Sequence, residues 1–156
     1  LACGVHGNLN AEVPESMELV RSLKLLERED GAWANDKATP QASTNATAAA
    51  VGALRFLGMP IASSVADWVW RQRHPQGGFL AAPQAPMPDL LSTATAIHTL
   101  VSLEFPIDEP HREVLLDYID SLWTNEGGFY GHWADDAVDC EYTFYGLLAL
   151  GHLSLA

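Results

Sequence analysis

The residues best suited to chemistry lie within one short segment near the end of the chain, which holds Asp139, Cys140, Glu141, Tyr142 and Tyr145. A carboxylic acid can transfer a proton, and a carboxylate beside a thiolate can bind a metal ion such as zinc. The same residue types also have structural roles. An aspartate can cap a helix, a glutamate in a first turn is favoured by the helix dipole, and a free cysteine is often a small buried apolar residue.

This segment belongs to a pattern that occurs three times. Each copy starts from a glycine motif that ends in an aromatic residue, at Trp33, Phe79 and Phe129, so that the copies lie 46 and 50 residues apart. Ten residues later comes a potential helix cap, and fourteen residues later a threonine, which gives the sets Ser43, Asp89, Asp139 and Thr47, Thr93, Thr143. Repeats of this length are typical of an array of one supersecondary unit.

Helical spacing of apolar residues predicts two helices in each repeat, and no strand signal appears. The predicted helices cover about 14–28, 44–57, 64–73, 90–104, 109–123 and 140–155, with Ser43, Ser63, Asp89, Asp108 and Asp139 as candidate caps. We therefore expect an all-α fold of tandem α-hairpins with about six helices, as a single domain or fragment over 1–156. The repeats are 14–58, 63–105 and 108–156, and 1–13 is interpreted as the tail of a preceding repeat in a longer array.

The second helix of each pair has two faces that suit apolar surroundings. One face holds the threonine and mostly aliphatic residues, and it must pack on the partner helix. The opposite face holds small, hydroxyl, aromatic and single ionisable residues, among them Thr95, His98 and Tyr145. Such a mixture is typical of a ligand cavity. A contact between neighbouring repeats is the alternative interpretation.

Composition narrows the range of partners and locations. The net charge of −12 disfavours nonspecific binding to nucleic acid, which needs Lys and Arg against phosphate. Two cysteines do not make a disulfide framework and favour a reducing compartment, so we expect a cytoplasmic location. No apolar run reaches the roughly 20 residues that span a bilayer.

Hairpins of this period that turn at a Gly-Gly-aromatic motif resemble the repeats of the α/α-toroid superfamily, which includes protein prenyltransferase β subunits and the squalene and oxidosqualene cyclases. The resemblance covers about 14–156 and is most specific in Gly127-Gly128-Phe129 followed by 139–145. It implies that the three hairpins form half of a toroid around an isoprenoid pocket. A second subunit or a second copy would then complete the ring.

The resemblance also implies roles for the residues near 139. In a prenyltransferase β subunit, Asp139 and Cys140 would bind zinc, although alignment on Tyr142 places Glu141 where the family has its cysteine. Tyr142 and Tyr145 match aromatic positions that line the isoprenoid pocket in that family. We expect Trp133, Thr95 and His98 to bind the substrate with them. Because the loop 130–138 contains no Lys or Arg, cations for a diphosphate would have to come from elsewhere.

Two further functions remain open at the level of the sequence. In a class II terpene cyclase, Glu141 or Asp139 would protonate a polyene or an epoxide as a catalytic acid. A carboxyl group on an apolar wall suits that role because desolvation raises its pKa. A non-catalytic toroid would instead bind an apolar ligand or a protein partner through the same surface.

Overall fold

The computed structural model describes residues 16–155 and confirms the all-α array of hairpins. The helices are α1 Ser16–Lys24, α2 Thr44–Phe56, α3 Ser64–Arg71, α4 Leu90–Ser102, α5 Glu109–Asp120 and α6 Cys140–Leu155. Two strands of two residues each, β1 Trp123–Thr124 and β2 Gly128–Phe129, pair antiparallel. These strands were not expected, because two residues are too short to show an alternating pattern. The preceding-repeat tail expected at 1–13 lies outside the described residues.

The second helices of the three repeats form one layer. Helix α4 packs between α2 and α6, while α3 packs on α4 and α5 packs on α6. At the beginning of the array, Val20 of α1 and Val65 of α3 belong to one apolar cluster with Ala50 and Val51 of α2. The helices α2, α4 and α6 are therefore the inner helices of the hairpins, and the others cover one side of them.

Each hairpin turns through the same backbone contact. The N–H of the residue after the aromatic donates to a carbonyl just beyond the first helix: Ala34 to Leu26 at 3.0 Å, Leu80 to Gln72 at 2.9 Å and Tyr130 to Leu122 at 2.9 Å. This pairing uses carbonyls that the sequence pattern assigned to the helices. It explains why α1, α3 and α5 end two to four residues before their predicted ends.

The repeated threonines connect this turn to the inner helix. The backbone N–H of Trp33 donates to the Thr47 hydroxyl at 3.0 Å, and that of Phe79 donates to the Thr93 hydroxyl at 2.9 Å. Both threonines are buried, so these bonds satisfy backbone donors that water cannot reach. The third threonine, Thr143, is half-buried, and its hydroxyl donates to the carbonyl of Asp139.

Side-chain caps begin most of the helices as predicted. Ser43, Asp89 and Asp108 each accept a hydrogen bond from the backbone N–H three residues further on. The prediction for Ser63 is wrong. This residue already has helical backbone angles, with φ −60° and ψ −29°, and its side chain makes no capping bond. A cap needs extended backbone to direct its side chain at the first free N–H groups.

Candidate functional site

The second face of the inner helices, which we call the inner face, is accessible in all three repeats. It consists of Asn45, Ala49, Gly52, Phe56, Leu91, Thr95, His98, Ser102, Glu141, Tyr145, Leu148 and His152, none of which is fully buried. On the other face of α2 and α4, by contrast, Thr47, Val51, Ile97 and Leu100 are buried. The inner face holds no Lys or Arg, and Glu141 is its only Asp or Glu.

Part of the inner face makes contacts between repeats. The Thr95 hydroxyl lies 2.9 Å from the Asn45 side-chain oxygen, and the Asn45 amide donates to the Ser92 hydroxyl at 3.3 Å. These polar contacts connect α4 to α2. At Thr95 the structure therefore supports the interpretation as a contact between repeats. A ligand could touch only the part of this side chain that stays exposed.

A histidine pair makes the corresponding contact between α4 and α6. The Nδ1 atom of His98 lies 2.9 Å from Nε2 of His152. Burial lowers the pKa of His98 below its usual value of 6.5, and the positive charges of His152 and Arg55 lower it further. One imidazole can donate to the other only while at least one of the two is neutral.

The Asp139 carboxylate caps α6. Its Oδ1 atom accepts a hydrogen bond from the backbone N–H of Tyr142 at 2.7 Å, as the caps of the other inner helices do. Cys140 is a free and exposed thiol, and the Glu141 side chain is also exposed. The carboxylates proposed as catalytic acids thus face solvent, without the burial that would desolvate them.

Tyr142 and Tyr145 are half-buried and point in different directions. The ring of Tyr142 lies directly over Gly131, which leaves no room for a Cβ at that position. Tyr145 lies on the inner face and makes an edge contact with Phe144 at a centroid distance of 5.3 Å. Burial raises the pKa of both phenols. Nearby carboxylates raise it further: Asp135 has the largest such effect on Tyr142, and Glu141 acts on Tyr145. Both phenols therefore stay protonated at neutral pH and can donate a hydrogen bond.

The structure does not bring Trp133 together with the other candidate residues. Its indole N–H donates to the Ser121 hydroxyl at 3.0 Å, and its ring makes an edge contact with Tyr118 at 5.3 Å. These contacts place Trp133 beside the end of α5. The sequence does not show that Trp133 lies away from Tyr145, because the path of the loop 130–138 depends on tertiary contacts.

The described residues do not assemble a zinc site around Asp139 and Cys140. Within 16–155, no group of three or more His, Cys, Asp or Glu side chains is close enough to hold a metal ion. A structural zinc site has four protein ligands and a catalytic one has three. The two adjacent residues would therefore need further ligands to hold a zinc ion.

Comparison with known families agrees with this architecture. The family model of the prenyltransferase alpha-alpha toroid domain matches residues 49–154, which is more than half of the chain. The chain belongs to this family. No curated protein matches it. The match to the prenyltransferase toroid domain runs from within α2 almost to the end of α6, and so includes most of the inner face.

Two contacts of this prenyltransferase toroid domain were not predicted from the sequence. His152 was identified only as an inner-face residue and not as the partner of His98, and Asn45 was not identified as the partner of Thr95. In both pairs the residue on the later helix lies one helical turn further along its repeat, a shift that could have indicated the two contacts.

Within 16–155, no helix combines the length and apolar character needed to cross a membrane.

Proposed function

We propose that this domain is prenyltransferase β-subunit-like and binds an isoprenoid chain along the inner face. The observation that carries the proposal is the accessible and nearly uncharged surface that continues over α2, α4 and α6. Leu148 and Tyr145 provide half-buried apolar contacts there, and both pack against the main core. An isoprenoid gains about 25 cal/mol for each Å² of apolar surface removed from water, so such a wall favours its binding.

A non-catalytic toroid that binds the same kind of ligand is the second candidate. Asp139 is engaged as a helix cap, and both Cys140 and Glu141 are exposed. These residues do not form a desolvated acid or a complete metal site among the described residues. Binding through the inner face needs neither, whereas transferase chemistry needs further ligands and cations.

Binding of farnesol to the purified chain tests the shared part of both candidates. The informative variant is Leu148→Ser on the inner face, and Leu147→Ser is its control, since Leu147 is the neighbouring exposed leucine outside that face. We expect Leu148→Ser to weaken binding about tenfold, because full burial of a leucine contributes about 1.5–3 kcal/mol and the ligand would cover the part of Leu148 that is still exposed. Leu147→Ser should bind like the wild type. Equal effects of the two variants, or no binding of farnesol, would contradict the proposal.

Product analysis separates the possible chemistries. Transfer of a farnesyl group from its diphosphate to a cysteine peptide, dependent on zinc and lost in Asp139→Asn, would identify a transferase. Metal-independent cyclisation of squalene, lost in Glu141→Gln, would identify a cyclase. Farnesol binding that survives both substitutions, without any product, would identify the non-catalytic toroid.

A further inference from the structure

A groove of about 590 Å³ lies between the outer helices α3 and α5. Its volume is within the range of sites for small molecules. Its walls come from the end of α3, from the turn that follows it and from the first half of α5. No residue of α2, α4 or α6 lines the groove, so it is separate from the inner face.

The groove concentrates positive charge in a chain whose net charge is −12. The charge comes from Arg71 and Arg73, two of only eight Lys and Arg residues, which lie on its walls. His74 and His111 also line the groove, and the His111 ring pairs with the Asp108 carboxylate. Among the described residues, neither arginine forms an ion pair with a carboxylate. Arg112 nearby is different, since it pairs with Glu109 at 3.2 Å.

One of the two guanidinium groups is held in place before any ligand binds. The Arg73 guanidinium lies 4.4 Å from the centre of the Trp70 ring, and its Nη1 donates to the Trp70 carbonyl at 3.0 Å. Trp70 is fixed in turn by ring contacts with Phe105 at 5.3 Å and His111 at 5.1 Å. A fixed donor loses less conformational entropy when a ligand binds.

The hairpin itself does not require these cations. At the positions of Arg71 and Arg73, the first repeat has Leu25 and Glu27, and the third has Ser121 and Trp123. All three hairpins nevertheless make the same turn. The positive charge therefore belongs to this groove and is not a feature of the repeat.

We propose that this groove is a binding site for a small organic phosphate monoester. A guanidinium group presents N–H donors in a fork that matches two phosphate oxygens, and two arginines suit a doubly charged phosphate. Val114 and Leu115 provide an apolar wall for the organic part of the ligand. The inference is independent of isoprenoid binding, since the two sites share no residue.

Calorimetric titration with phenyl phosphate and with inorganic phosphate tests the proposal. We expect phenyl phosphate to bind at a single site and more tightly than inorganic phosphate. Arg73→Gln and Arg71→Gln should each weaken binding about tenfold, as expected for loss of a hydrogen bond to a charged group. Arg73→Lys should weaken it less, because the charge remains while the fork is lost.

Arg21→Gln, an exposed substitution on α1 away from the groove, is the control and should bind like the wild type. Arg71 and Arg73 are also exposed, so their variants should fold, which circular dichroism can check. Failure of phenyl phosphate to bind would overturn the proposal. So would equal weakening by Arg21→Gln, or binding of phenyl phosphate no tighter than that of inorganic phosphate.

Discussion

Asp139 is a residue type suited to catalysis, but in this structure it supports the fold. Its carboxylate accepts a hydrogen bond from the backbone N–H of Tyr142. Ser43 and Asp89 make the same capping bond at the start of α2 and α4. An acid at this position is thus explained by helix capping alone. Any catalytic role of Asp139 would have to coexist with that hydrogen bond or break it.

Capping by Asp139 can be tested by substitution. Asp139→Ala should lower the free energy of unfolding by about 1 kcal/mol, while Asp139→Asn should lower it by much less, because asparagine is an equally good cap. Urea denaturation followed by circular dichroism measures both. An alanine variant as stable as the wild type would show that the cap contributes nothing.

The pair of His98 and His152 predicts a dependence of stability on pH. The pKa of His98 is lowered in the folded state by burial first, then by His152 and Arg55. The folded protein therefore binds fewer protons than the unfolded chain just below pH 6.5. The stabilising contribution of neutral His98 is complete above that pH and is lost as the pH falls towards the folded-state pKa.

Urea midpoints measured between pH 7.5 and about pH 5 test this dependence. The wild type should lose stability on acidification, and His98→Gln should lose less. His132→Gln is the control, since His132 lies in a loop outside the pair, and it should behave like the wild type. If His98→Gln and the wild type declined in parallel, the pair would not be the cause.

At the scale of the helices, local signals predicted where elements begin better than where they end. Helix starts were predicted at Ser43, Asp89 and Asp108 because a cap depends on neighbours in sequence. The ends of α1, α3 and α5 were missed because carbonyls such as Gln72 pair across the turn. The contact between His98 and His152 depends on how α4 and α6 pack, which the sequence pattern does not specify.

Two glycines of α6 provide a matched pair for testing its packing. A Cβ on Gly146 would lie 2.6 Å from the Phe129 ring, whereas a Cβ on Gly151 would meet nothing within 4 Å. Gly151→Ala should stabilise the protein by about 0.5–1 kcal/mol, since alanine favours the helix. Gly146→Ala should destabilise it by about 1–3 kcal/mol through overpacking. Thermal or urea unfolding gives both values, and a stabilising Gly146→Ala would contradict the close packing of Phe129.

At the scale of the whole molecule, the last repeat differs from the others in how its packing face is covered. Val51 and Ile97 are 1% and 0% exposed, but Leu147, in the same position of the third repeat, is 60% exposed. Phe144 on the same side is 58% exposed, whereas Ala94 in the same position is buried. An apolar patch of this kind is typical of a surface that associates with another protein.

We therefore expect the 156-residue chain to self-associate through this patch. Sedimentation analysis should show dimers or larger species, and the double substitution Phe144→Asp and Leu147→Asp should shift the chain to the monomer. Ala49→Asp, which places a single negative charge on the inner face, is the control and should not change the association. A wild-type chain that stays monomeric would contradict this expectation.

Photocrosslinking can show directly whether the inner face binds an isoprenoid. A farnesol analogue with a photoreactive group, followed by mass spectrometry, identifies the residues that the ligand touches. We expect labels on the inner face of α4 and α6, at residues such as Leu91, Tyr145 and Leu148, and competition by unlabelled farnesol. Labels confined to Phe144 and Leu147, or labels that farnesol does not displace, would contradict it.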